Sequence, residues 1–153
     1  RFSDLRLVIA GGGDFKDILR DAALLRSDVI DIAHVSEEEK HRLIRHSVAL
    51  CQPSVNESFS IVLMEAWLLK VPVLVHGHCA VTREHVIRSG GGLYFSSDED
   101  LFGVISELCD PEQRRQFGEA GFEYVLRQYN WNSVLERFDG VVDETLCSRM
   151  SLV

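Results

Sequence analysis

Two carboxylates, Glu57 and Glu65, lie within and after a stretch whose residues suit an anion: Asn56-Glu57-Ser58-Phe59-Ser60 reads as a loop feeding a helix over 60–69. The first turn of a helix offers backbone N–H groups without partners and the positive end of its dipole. Such an end binds phosphate without a basic side chain. The amides near Ser60, Ile61 and Val62 are the candidates, and the small side chains of Ser58 and Ser60 let a diphosphate approach closely. Glu57 precedes the helix and Glu65 lies within it, so the i,i+4 spacing that would place both on one face is missing. They would reach different parts of one ligand. A carboxylate accepts paired hydrogen bonds from vicinal hydroxyls, and a sugar nucleotide carries such diols on its ribose and on its hexose. Glu65 for the ribose and Glu57 for the hexose is the division this suggests. The plain alternative makes Glu57 a solvated loop residue and Glu65 a helix-surface charge. Against it, Glu65 sits between Ile61-Val62-Leu63-Met64 and Ala66-Trp67-Leu68-Leu69, a run so apolar that a carboxylate there wants a partner.

The elements that must position these groups alternate between short β-type runs and stretches of helical period, the pattern of a parallel sheet with crossover helices. Strands are expected at Leu5–Ala10, Val29–Val35, Val48–Cys51, Val71–Val75 and Gly92–Phe95. Gly11-Gly12-Gly13-Asp14 closes the first strand ahead of a helix over 15–26. Ser36 and Glu39 form a capping box for a helix reaching about His46. Pro53 cannot donate to a central ladder and marks the end of the third strand. The last third reads as helices over 98–109, 111–128, with Pro111 at a tolerated first-turn position, and 131–147. Ligands of open parallel sheets bind at the carboxyl ends of the strands. The loops of interest are therefore 11–14, 34–37, 52–60, 76–84 and 89–92.

Composition limits the partners. At 153 residues, 46% apolar and 26% charged, the chain suits one domain with a full core. Its net charge of -8 argues against nucleic acid, which needs clustered Lys and Arg. No run approaches the ~20 apolar residues that span a bilayer. Cys51, Cys79, Cys109 and Cys147 form no CxxC pair, so neither a zinc ribbon nor a disulfide frame is indicated, and a reducing, cytoplasmic setting fits best. The opening Arg1-Phe2-Ser3-Asp4 runs almost directly into a strand, as expected of a piece of something longer.

Pro53-Ser54-Val55-Asn56-Glu57-Ser58-Phe59-Ser60-Ile61-Val62-Leu63-Met64-Glu65-Ala66, followed by Lys70-Val71-Pro72-Val73, resembles the signature of group 1 (family 4) glycosyltransferases. The resemblance covers roughly residues 5–135 and is specific in the 53–73 core. It implies an α/β fold: the carboxy-terminal Rossmann-like domain of a GT-B enzyme, a parallel sheet sandwiched by helices with a helical C-terminal segment. Residues 1–153 would be a single donor-binding domain, lacking the N-terminal acceptor domain and the first strand. The implied chemistry is retaining transfer of a hexose from a nucleotide-diphosphate sugar, UDP- or GDP-linked, to a glycan, lipid or other acceptor, with no cofactor and no metal. Carried over by position, Glu57 contacts the donor sugar, the amides of Phe59, Ser60, Ile61 and Val62 hold sugar and diphosphate, and Glu65 holds the ribose. Ser58 belongs to the same donor loop, Val35 lines the base, and Gly11, Gly12 and Gly13 match the family's Gly-rich turn. Glu84 resembles the Glu of the family's Pro-Glu, with Arg83 in place of the Pro. The resemblance also leaves room for peripheral membrane association of the full enzyme.

Two departures matter. The usual Glu-Gly-Phe-Gly reads Glu57-Ser58-Phe59-Ser60 here, which narrows the space around the phosphates. The family's basic pair, which neutralises the leaving diphosphate, would lie upstream of Leu5 and is not in this chain, so the isolated domain is expected to bind donor weakly and transfer nothing.

Other readings stay open. His76-Gly77-His78-Cys79 with His85 contains metal-ligand types, but zinc needs about four converging ligands and alternate residues at a strand end point to opposite faces. The bland reading is a loop whose histidines and Thr82 face an interdomain cleft. Gly11-Gly12-Gly13-Asp14 lacks the rest of a dinucleotide fingerprint, and Cys51 and Cys79 lack Cys-His-Asp support as nucleophiles. Phe117, Phe122, Tyr124, Tyr129, Trp131 and Phe138 read as helix-packing core, with Trp131 also able to dock its segment on another domain. A non-catalytic Rossmann-like nucleotide-binding or interaction module and a sugar-phosphate epimerase of related fold are the rival functions.

Overall fold

The computed structural model describes residues 4–12 and 27–150. Gly13 and the helix expected over 15–26 lie outside the described residues. The chain forms two compact units, Arg1–Leu43 and Ile44–Val153.

In the first unit, β1 (Leu7–Ala10) pairs in parallel with β2 (Val29–Ile32), Leu7 opposite Val29 and Ala10 opposite Ile32. The capping box forms as the spacing predicts: Glu39 N–H donates to Ser36 Oγ at 3.2 Å, while Ser36 N–H donates back to Glu39 Oε2 at 2.9 Å. It opens α1 (Glu37–Arg45).

In the second unit, β3 (Leu50–Gln52), β4 (Val73–His76) and β5 (Gly92–Phe95) make a parallel sheet in chain order. Between them run α2 (Ile61–Leu68) and α3 (Ala80–Ser89), and α4 (Asp98–Leu108), α5 (Pro111–Gln128) and α6 (Trp131–Met150) follow. The α/β alternation is therefore parallel-stranded throughout, as the sequence pattern requires. β4 starts two residues later than Val71 because the chain is still closing α2 there. Lys70 takes a left-handed backbone at φ 59° and the Val71 amide donates back to Ala66 O at 2.9 Å.

The core is centred on Leu63, Ala66, Trp67, Val73 and Val75, all fully buried. Trp67 anchors α2. Its Nε1 donates to Gly91 O at 2.7 Å, and its indole fills space that side chains at two glycines would occupy. A Cβ at Gly121 would lie 2.1 Å from Trp67 Cδ1, and one at Gly91 would lie 2.5 Å from Nε1. α2 thus packs against α5 and the start of β5 at the closest approach glycine allows.

α3 replaces much of the loop expected over 76–84. Thr82 does not face a cleft: it is fully buried on the inner side of α3. The aromatic set also divides. Tyr124 is buried and Phe117, Phe122 and Tyr129 are half-buried, but Trp131 and Phe138 are 78% and 63% exposed on α6. With Leu135, Val142 and Leu146 they form an outward apolar stripe at helical spacing, so they are not part of this unit's core.

Candidate donor site

Among the residues assigned above to ligand binding, Gly11, Gly12 and Val35 belong to the first unit and Glu57–Val62 and Glu65 to the second. In the first, the Gly11 amide donates to Ile32 O at 3.4 Å, and a Cβ at Gly12 would lie 3.8 Å from His34 Cε1. The turns after β1 and β2 are therefore adjacent at the carboxyl ends of the two strands. Gly12 is exposed and Val35 half-buried beside them.

In the second unit, Pro53 to Ser60 climbs from the carboxyl end of β3 to the start of α2. Ser54 Oγ ties the turn by donating to Asn56 O at 3.0 Å and accepting from Asn56 N–H at 3.3 Å. Glu57 is half-buried, and Gln52 Nε2 donates to its Oε1 at 3.2 Å. Gln52 was not expected in the site. Its signal was its place as the last strand residue before the loop, where a side chain points at the crevice.

Ser60 is the residue that departs most from ordinary geometry. It is 8% exposed, sits in the left-handed region at φ 66° and ψ 75°, and its Oγ is buried with no hydrogen-bond partner. It occupies the N-cap of α2 yet makes no capping bond, so the first-turn amides of Ile61 and Val62 have no side-chain acceptor. A left-handed backbone costs an L-residue about 1–2 kcal/mol, and a buried hydroxyl without a partner costs about 1–3 kcal/mol more. Ser60→Gly is therefore expected to raise the unfolding free energy by about 1 kcal/mol, once the extra chain entropy of glycine is subtracted. That is about 2–4 °C in Tm for a chain of this size. A lowered Tm would mean that the hydroxyl has a structural role.

Ile61 is 68% exposed beside these amides, Val62 is half-buried, and Ser58 is exposed at the loop surface. The Phe59 side chain points the other way. Its ring packs edge-on against His85, with centroids 5.3 Å apart, and against Tyr129 at 5.2 Å, leaving only the Phe59 backbone for a ligand. Glu65 is half-buried in the middle of α2.

The histidines and Cys79 are committed separately. His76 Nδ1 accepts from the His78 amide at 3.2 Å, His85 Nδ1 lies 3.1 Å from Tyr124 Oη, and Cys79 is buried at the N-cap of α3. Burial holds the His85 imidazole below its ordinary range, Arg88 adding to the effect and Glu84 opposing it. Burial, followed by the bond to Tyr129, pushes the Tyr124 phenol up to about 12. A cavity of about 230 Å³ lies at the other pole of the sheet, lined by Arg45, Lys70, Arg114 and Arg115. Three of these cations are occupied: Lys70 pairs with Glu119, Arg115 with Glu112, and Arg114 donates to carbonyls ending α4.

A family model described as glycosyl transferases group 1 matches residues 1–124. The chain belongs to this family. Of the three functions considered from the sequence, the transferase is the one its family supports. The glycosyltransferase chain is 29% identical over 152 residues to a phosphatidyl-myo-inositol mannosyltransferase of Mycobacterium leprae, covering 96% of its own length and 40% of the relative's. It is 30% identical over 143 residues to the enzyme of the same name from Mycobacterium tuberculosis, covering 88% and 37%. Among solved structures, sucrose-phosphate synthase from Thermosynechococcus elongatus aligns at TM-score 0.74 and 21% identity, over 94% of this chain and 39% of that one. WaaG, a glycosyltransferase involved in lipopolysaccharide biosynthesis, aligns at TM-score 0.68 and 22% identity, over 81% and 34%. These two likenesses establish the GT-B type of α/β fold. The glycosyltransferase chain spans about 40% of the length of the curated relatives it matches first. No helix among its described residues is long and apolar enough to cross a membrane.

Proposed function

We propose that this chain is the donor-holding part of a retaining glycosyltransferase that takes a hexose from a UDP- or GDP-sugar. The observation that carries the reading is the start of α2. An uncapped helix end, a buried hydroxyl without a partner and a left-handed Ser60 stand together at the carboxyl end of a parallel sheet. Each of the three is costly in the free protein, and a diphosphate relieves two of them by accepting from the amides and from Ser60 Oγ. This suits a chain of net charge -8, since the anion is met by dipoles and not by a basic surface.

In the proposed reaction the anomeric C–O bond breaks with its electron pair leaving on the diphosphate. The acceptor hydroxyl adds to the same face of the oxocarbenium-like centre, and its proton passes to a departing phosphate oxygen. Amides aimed at that oxygen stabilise the charge as it develops. Glu57, oriented by Gln52, holds the donor hexose, and Glu65 the ribose. No metal or other cofactor is invoked. A separate N-terminal domain supplies the acceptor site and the basic pair, and the exposed stripe from Trp131 to Leu146 is a surface such a domain could cover. The names of the mycobacterial relatives are consistent with a lipid acceptor and a membrane-peripheral setting, and the cysteine pattern with a cytoplasmic one.

Calorimetric titration with UDP- and GDP-sugars tests it. One of the two series should give saturable heat and a raised Tm. Neither heat nor a melting shift with any of them at millimolar ligand would remove the donor site.

A further inference from the structure

Behind the donor loop three polar atoms close a triangle. His85 Nδ1 lies 3.1 Å from Tyr124 Oη and 3.4 Å from Tyr129 Oη, and the two hydroxyls are 3.3 Å apart. The ring of Phe59 rests edge-on against two of its members, at interplanar angles of 86° to His85 and 74° to Tyr129. The third member, Tyr124, is 3% exposed and meets the Trp67 ring of α2 at a centroid distance of 5.7 Å. One cluster therefore touches the donor loop through Phe59 and the donor helix through Trp67. These contacts join α3, α5 and the residue after α5 to a segment far away in sequence.

Proton placement makes the triangle directional. With Nδ1 unprotonated, Tyr124 donates to His85 and Tyr129 donates to Tyr124, so each hydroxyl hydrogen has an acceptor. A protonated imidazole must donate instead. The Tyr124 hydroxyl then turns towards Tyr129, whose hydrogen is left to solvent, and a cation stands against Phe59. The charged and titratable groups facing His85 are Tyr124 and Tyr129 across the helix interface and Arg88 and Glu84 on α3 itself. Arg137 of α6 sits 5.9 Å from the centroid of the Tyr129 ring.

We propose that His85 is a positioning residue for donor binding: in its neutral form, accepting from Tyr124, which in turn accepts from Tyr129, it holds Phe59 and so fixes the backbone from Glu57 to Ile61. This rests on the donor site proposed above. It implies that the donor prefers the protein with neutral His85, and by reciprocity that bound donor resists protonation of His85.

The test is NMR titration of His85 in the wild-type full chain between pH 5 and 8, its ring identified by contacts to Phe59, without and with the saturating UDP- or GDP-sugar. A nucleoside-diphosphate sugar has no group titrating in that range. The midpoint should fall by about one unit with donor bound, matched by about three- to sixfold weaker calorimetric affinity at pH 5 than at pH 7, since pH 5 is not far below both midpoints. In His85→Phe, which keeps a ring and loses the nitrogens, and in Tyr129→Phe, the pH dependence of affinity should flatten. Donor that binds while leaving the His85 midpoint unmoved, or that raises it as the diphosphate's charge alone would, overturns this inference alone. Absence of donor binding at every pH overturns the donor site, and the inference with it.

Discussion

Trp67→Ala is expected to lower the unfolding free energy by roughly 3–5 kcal/mol, the upper range for a buried aromatic. Three features place it there. The side chain is fully buried, its Nε1–H donates to Gly91 O at 2.7 Å, and its ring lies edge-on to Tyr124. Removing the indole takes one of two donors from Gly91 O, the Val73 amide at 3.2 Å remaining, and leaves a cavity. The cavity cannot be refilled by its walls, because Gly91 and Gly121 stand on two sides of it and have no side chains to move. Denaturant midpoints read by circular dichroism are the suitable measurement, since Trp131 would be the only indole left for fluorescence. The same geometry predicts a coupling. Gly121→Ala alone puts a methyl 2.1 Å from Trp67 Cδ1 and should cost about 1–3 kcal/mol, whereas combined with Trp67→Ala its cost should largely vanish. Strict additivity of the two losses would show that the pair does not share one space.

What was legible in the sequence follows from how local each determinant is. The capping box at Ser36 and Glu39, the start of α5 at Asp110-Pro111 and the strand over 92–95 are set by residues within a few positions of one another, and the structure has each of them. Asp110 accepts from the amides of Glu112 and Gln113 at 2.9 Å, the bond its type and place before Pro111 lead one to expect. α3 was hidden because its N-cap, Cys79, makes no side-chain bond and its sequence carries β-branched Val81, Thr82, Val86 and Ile87. Gly90, left-handed at φ 63°, was the signal that could have revealed the helix end.

The candidate site shows the same division. Glu57, Ser60 and Glu65 were visible as a spaced set of residue types. That Ser60 adopts a backbone better suited to glycine had one signal, its place where the usual Glu-Gly-Phe-Gly has its second glycine; the residues around it do not demand that backbone, and the strain is held by the packing of α2 through Trp67. The triangle of His85, Tyr124 and Tyr129 joins residues 39 and 44 positions apart, beyond what any periodicity reports. Gln52 joined the site only because β3 ends one residue later than its apolar run.

Under the proposed function, Glu57→Ala in the intact enzyme should lower kcat by about 10²–10³, while donor affinity changes far less. Gln52 holds Glu57 Oε1 at 3.2 Å, so the carboxylate is set in place before donor arrives. A preset carboxylate against the hexose hydroxyls strengthens its hold as the ring gains positive charge. An interaction stronger in the transition state than in the ground state appears in kcat. Glu65 differs in where it acts. The ribose it is proposed to hold does not change charge during transfer, so Glu65→Ala removes binding that is the same in both states and should raise the donor KM about tenfold with little change in kcat. Gln52→Ala should fall between wild type and Glu57→Ala in turnover, since it frees the carboxylate without deleting it. Steady-state kinetics of the three variants with varied donor separates these outcomes. Unchanged parameters for both glutamate variants would remove the assigned roles. A KM effect for Glu57 with a kcat effect for Glu65 would exchange the two ends of the donor, because only the hexose end meets the developing charge.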